Sequence, residues 1–253
     1  MILQRLSRAI REQNWFAVAL EFVIVIAGVV IGFQVTAWNA QRADREALRL
    51  AFLRFEAEID ANLDTIAETQ SELADAIPDV TRALNTLQQC ATGPDAEAAI
   101  VAGINQAQVT RGIRFRSGAL RELAEQPSLL SQQSEAQRQA LQRLVYDLEL
   151  LETEAAFLEL MPFNSPIWRL NELTFADAEP ATLTYRGFDF AMPRRRLALS
   201  VPAETACRQH ELATELYEWE YLQSSLNVVL GLAAENLVAT RQALADDDNE
   251  ASQ

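Results

Sequence analysis

The apolar positions of this chain fall into two regimes. From Trp15 to Trp38 the run WFAVALEFVIVIAGVVIGFQVTAW is apolar almost throughout, with Glu21 its only charge. Beyond Asn39 the apolar residues thin to stripes at steps of three or four. The first is Phe52, Phe55, Ile59, Leu63, Ile66, Gln70, Leu73, Ile77, Val80, Leu84 and Leu87. The second is Leu141, Leu144, Leu148, Leu151, Ala155 and Leu158, and the third Leu212, Leu216, Trp219, Gln223, Leu226, Leu230, Ala233, Leu237 and Leu244. That spacing puts one apolar face on each of three helices. None can bury its face alone, so the expected fold is mainly α: one N-terminal transmembrane helix followed by an antiparallel helical bundle.

Local signals set expected boundaries. Pro78 should kink or break the first helix near Ile77, which otherwise continues from the apolar span without interruption. Cys90-Ala-Thr-Gly93-Pro94-Asp95 ends it, with Gly and Pro in stop positions. A short helix from Asp95 to about Ala107 follows, then a connection carrying Arg111, Arg114 and Arg116. Ser117 is placed to cap a helix through Glu125, and Ser134 opens a long one to Leu160, ended by Pro162 and Pro166. The last helix is predicted from Pro202 to about Ala245, and the acidic residues 246–253 read as a disordered tail. Residues 182–201 instead alternate apolar and polar positions, which predicts a small extended or hairpin insertion, a flap at about 180–201, around Arg186-Gly187.

The 24 residues from Trp15 to Trp38 would span roughly 36 Å as a helix, enough for a hydrocarbon core of about 30 Å. Trp15 and Trp38 then fall where amphipathic rings favour the headgroup zone, as interfacial anchors. Gly28 and Gly32 form a GxxxG that lets two backbones approach in lipid, and Glu21 shares their face. These three residues are the candidates for packing in the membrane. Two alternatives stay open: a buried core helix, and a cleaved signal peptide with Arg5, Arg8 and Arg11 as basic head and cleavage after Ala37. Arginines flank the run almost equally on both sides, so orientation rests on the order of basic head and apolar run. The division expected is a cytoplasmic head at 1–14, a membrane helix at 15–38 and an exported domain at 39–245.

Glu21-x6-Gly28-x2-Ile31-x2-Gln34-x3-Trp38-Asn39 resembles the N-terminal helix of a family of bacterial single-pass membrane proteins known only as a domain of unknown function. A weaker likeness runs from Phe115-Arg-Ser117-Gly-Ala-Leu120 through Leu129-Leu130 to Ala140-Leu141, although Gln126-Pro127-Ser128 stands where that family favours a glycine-containing turn. The resemblance implies an anchored, mostly helical protein; the order of basic head and apolar run gives the expected location, the bacterial inner membrane with the C-terminal domain in the periplasm. It implies no activity.

Charge and composition narrow the function. The chain of 253 residues has 36 acidic and 21 basic residues, all arginine, for a net charge of −15. Residues 1–49 carry six arginines and four acids, so the remainder sits at −17. Such a surface repels phosphates and excludes a nucleic-acid partner. Catalytic groups are scarce. His210 is the only histidine; Cys207-x-x-His210 beside Glu211 falls short of a zinc set, and neither a phosphate loop nor a G-x-S-x-G elbow occurs. No catalytic residue, metal or cofactor is therefore assigned. Cys90 and Cys207 either bridge, as an oxidising compartment allows, or stay as buried thiols. Arg194, Arg195 and Arg196 form the one basic cluster of the body, either an anion contact or a solvated turn.

The expected function is a non-enzymatic interaction or assembly protein, anchored in the bilayer and homodimeric through its membrane helix. The alternative is a ligand-sensing domain that uses the aromatic flap as its pocket and signals through a membrane-protein partner.

Overall fold

A computed structural model describes residues 15–161, 167–185 and 188–251. Helix α1 runs from Trp15 to Gln88 as one element of 74 residues. From Leu20 to Ala47 it is exposed apart from a half-buried Asp44; Leu48 is the first residue to pack against the bundle, full burial begins at Ala51, and Phe55, Ile59, Ile66, Leu73, Val80 and Leu84 follow as the expected stripe. Pro78 lies inside the helix rather than ending it. A proline removes one helical N–H, but the packed stripe on both sides of Pro78 keeps the helix continuous through that gap.

The end of α1 differs in detail from the expected Gly-Pro stop. Cys90 takes the left-handed conformation with φ 44°. The Ala91 N–H reaches the Thr86 carbonyl and the Cys90 N–H the Leu87 carbonyl, both at 3.1 Å. This is a Schellman closure built on a cysteine. Gly93, with φ 98°, instead precedes helix α2 (Pro94–Ala107), and Pro94 occupies its first turn.

After α2 the chain crosses the bundle without regular structure to α3 (Gly118–Glu125), the single turn α4 (Pro127–Leu130) and the long α5 (Glu135–Leu160). Ser134 caps α5 in a reciprocal box with Gln137. Pro162 and Pro166, the expected stops, lie outside the described residues. Strands β1 (Leu173–Tyr185) and β2 (Phe188–Leu199) form an antiparallel hairpin with an irregularity between Phe175 and Ala178. The flap thus begins earlier than the alternation at 182–201 announced, and its Arg186-Gly187 turn lies outside the described residues. Pro180 faces Pro193 across the ladder. Neither can donate, so both edges lack an N–H at that level, which discourages addition of a further strand.

The expected long helix from Pro202 divides in two. Helix α6 (Ala203–Ala206) is one turn, and α7 (His210–Ala251) follows after a break at Cys207–Gln209. Helix α7 passes Ala245 and continues to Ala251, so the acidic run from Asp246 belongs to a helix and not to a disordered tail. Every seam residue expected on α7, from Leu212 to Leu244, is buried.

Helix α7 lies antiparallel to α1, since Arg241 meets Glu56 and Asp60 while Glu220 meets Thr81. It is also antiparallel to α5, whose cap Ser134 donates to Asp247. Two cores stack along α1. The lower one joins Phe55, Ile59 and Ile66 to Leu141, Leu148, Leu226 and Leu237. The upper one joins Val80 and Leu84 to Ile100, Ile104, Leu216, Trp219 and Leu197 of the hairpin base. The molecule is a mainly helical bundle with a small β insertion, and its N-terminal helix is long and apolar enough to cross a membrane.

Candidate functional site

The free part of α1 is the first candidate surface. Glu21, Gly28 and Gly32 are exposed on one face, and a methyl added at either glycine would meet nothing within 4 Å. Gly28 and Phe55 are 27 residues apart, as are Gly32 and Ile59; at 3.6 residues per turn that is about seven and a half turns. The glycine face therefore points away from the bundle core. It continues through Val35, Asn39, Ala43, Glu46, Leu50, Leu53 and Ala57 at steps of three or four, every one exposed. Trp38 is exposed with the Arg42 guanidinium 5.9 Å from its ring centroid. The Trp15 side chain lies outside the described residues.

The second feature is the segment between α2 and α3, which side chains from two helices hold in place. The Trp219 indole N–H donates to the Val109 carbonyl at 3.0 Å. Gln223, fully buried, accepts the Arg111 N–H at 2.9 Å through Oε1, with Nε2 3.5 Å from the Arg111 carbonyl oxygen. Asn62 clamps Arg116 in the same way, both contacts at 2.8 Å. Between the clamps Ile113 and Phe115 turn inward while Arg114 and Arg116 turn out, the period-2 pattern of an extended strap. Glu58 then accepts the N–H groups of Ala119 and Leu120 at 2.9 and 3.0 Å. A carboxylate from α1 thus caps α3, and the expected cap Ser117 makes no side-chain bond. Asn105 repeats the clamp on Leu197, at 2.9 and 3.0 Å, and fixes the hairpin to α2.

Cys90 and Cys207 are joined in a disulfide with Cα atoms 5.2 Å apart, which ties the end of α1 to the end of α6. Cys207 is thereby unavailable to His210, which is exposed at the start of α7. Among the described residues no group of three or more His, Cys, Asp and Glu side chains is placed to hold a metal.

Arg194, Arg195 and Arg196 do not converge. Successive strand residues face opposite sides, so Arg195 turns from its neighbours and donates to the Ala176 carbonyl at 3.1 Å. Arg196 lies 3.8 Å from Glu179, and Arg194 sits in the register opposite the same residue. Arg194 also lines a cavity of about 330 Å³ between the hairpin and Gln108 and Val109. Trp168, Phe175, Phe190 and Met192 are exposed, and of these Met192 joins Arg194 in the wall of that cavity.

A larger cleft of about 570 Å³ opens at the foot of the bundle, where α1 leaves it. Leu48, Phe52 and Leu53 of α1 face Leu244 and Ala245 of α7 across it, with Arg45 and Arg49 at the end toward the apolar span. Sequence reasoning missed it because its walls come from residues nearly 200 positions apart; Leu48 and Leu53 flanking the apolar stripe were the only local sign.

No family model, curated protein or solved structure matches the chain. Its geometry is therefore the ground for any functional reading.

Proposed function

We propose that the protein is a membrane-anchored, non-enzymatic assembly protein that pairs with a second copy through α1. Its body then stands outside the cytoplasm of a bacterial cell, with residues 1–14 inside. One observation carries this reading. The face bearing Glu21, Gly28 and Gly32 continues, exposed and rich in small or apolar residues, to Ala57 on the side of α1 opposite the bundle core. Two copies packed along that face keep their bundles on the outside, where they do not collide. The helix between Trp38 and Ala51 adds a stalk of roughly 20 Å, which sets the body at a fixed height above the bilayer.

Single cysteines at Gly28, Gly32, Leu50 and Ala57, placed in a background without Cys90 and Cys207, test the pairing in native membranes. Oxidative dimers are expected at these positions and not at Arg54, which lies off the face. Crosslinking indifferent to position, or a monomer by light scattering in lipid discs, overturns it. Reporter fusions after residue 60 and near residue 250 test the orientation.

The alternative, a ligand-sensing domain, draws support from the cavity beneath the hairpin with Arg194 in its wall. Substituting Glu21 separates the two, since a sensor loses signalling to its membrane partner while retaining its ligand.

A further inference from the structure

The cleft at the foot of the bundle has a chemical direction. Its upper end is polar: Glu56 and Asp60 pair with Arg241 at 3.0 and 2.5 Å, and the Asp247 carboxylate accepts from the Ser134 hydroxyl. Its middle is apolar, formed by Leu48, Phe52, Leu53 and Leu244. At the lower end Arg49 is paired with Glu46 at 2.7 Å, whereas Arg45 is exposed and makes no ion pair among the described residues. Arg45 lies seven residues beyond Trp38, roughly 10 Å along the axis and so within reach of a headgroup layer. An unmatched cation beside the bilayer leads into an apolar trough closed by polar groups. The trough has the volume of an ordinary small-molecule site, a few hundred Å³.

We infer that this cleft binds an amphiphile with one anionic head and one alkyl chain, the head on Arg45 and the chain between Leu48, Phe52 and Leu244. Charge selects the head: in a body at −17, a carboxylate or phosphate finds favourable potential only where arginines outnumber acids, and residues 38–50 hold three arginines against two acids. The apolar walls select the chain, since burial of each methylene contributes about 0.8 kcal/mol. A free fatty acid presents this chemistry whole, and an anionic phospholipid of the bilayer presents it with its head and one of its two chains. The inference rests on the anchoring part of the proposed function, not on the pairing.

The test uses the full chain in phosphatidylcholine discs with a diazirine-bearing hexadecanoate, crosslinked sites being read by peptide mass spectrometry. Labelling of 45–56 and 241–247, competed by unlabelled hexadecanoate, is expected. Arg45→Ala should weaken that labelling about tenfold, the scale of a charge-assisted hydrogen bond. Ala245→Trp, at an exposed position of the wall, should block it while leaving the helical circular dichroism intact. Discs containing phosphatidylglycerol separate the sources: competition there identifies the bilayer lipid, its absence the free acid. Labelling confined to 20–38 keeps the anchor and overturns the cleft. No labelling at 20–38 overturns the anchor itself. Cleft labelling unchanged by both substitutions, or replaced by chain-to-chain crosslinks between 45 and 245, also overturns the inference.

Discussion

Asn62 on α1 grips Arg116, 54 residues later, by both its backbone N–H and its carbonyl at 2.8 Å. The amide side chain stands in for a neighbouring strand, and it is almost completely buried. Asn62→Leu keeps the branched shape at Cγ and leaves two backbone groups without partners. The expected loss is about 1–3 kcal/mol for each group that water does not reach, read as a lower urea midpoint with unchanged slope. A variant as stable as the parent would show that the clamp contributes nothing.

The strap between α2 and α3 should open locally once its grips are removed. It carries Arg111, Arg114 and Arg116, so trypsin reports on it directly. Gln223→Leu frees the Arg111 backbone and Trp219→Phe frees the Val109 carbonyl. Each should accelerate cleavage within 111–116 before global unfolding, and the pair should accelerate it further. Cleavage first in the hairpin, with the strap intact, would contradict this.

The three long stripes were legible because burial on a helix repeats every 3.6 residues, and each seam residue of α7 is buried as its spacing demanded. The strap was not, because Arg111, Arg114 and Arg116 hide an in-out alternation only five residues long at Ile113 and Phe115. Gln223 stood visibly in an apolar seam, yet its partner, 112 residues away, has no local signature. Helix ends were misjudged where tertiary structure overrides local codes: Glu58 replaces Ser117 as a cap, and Cys90 takes the left-handed position that Gly93 advertised. In the free half of α1 the glycine face was readable, but its continuation to Ala57 needed the burial pattern.

Two glycines should respond oppositely to alanine. A methyl at Gly103 would overlap the Ala83 Cβ and come within 3.0 Å of the Asp79 carbonyl oxygen, where α2 crosses α1. Gly103→Ala should destabilise by about 1–3 kcal/mol, the range for overpacking. A methyl at Gly231, inside α7, meets nothing within 4 Å, so Gly231→Ala should stabilise by about 0.5–1 kcal/mol. Thermal unfolding of both variants decides, and equal shifts would refute the close approach.

The Cys90–Cys207 bond closes a sequence separation of 117 residues around α2, the strap, α5 and the hairpin. Its loss should cost about 4–5 kcal/mol in the chain-entropy account. Cys90 has a further burden, because its φ of 44° costs a side chain about 1–2 kcal/mol. Cys90→Gly with Cys207→Ser should therefore be more stable than the double serine variant. Equality of the two under chemical denaturation would remove the left-handed turn from the argument.

Glu215 supplies the pH dependence. Partial burial pushes its carboxyl above the usual range, and repulsion from Glu218 and Glu211 on the same helix adds to this. A carboxyl raised in the folded state opposes folding once both states are charged, that is, above the folded pKa. As pH falls through that value the folded state takes up the proton first and stability rises, and the gain is complete below the unfolded value near 4.5. Glu215→Gln removes the penalty. The variant should exceed the parent in urea midpoint at neutral pH, and the gap should narrow to nothing as pH falls below the ordinary carboxylate range. A gap that stays constant with pH would assign the effect to packing at Leu216 and Trp219 rather than to charge.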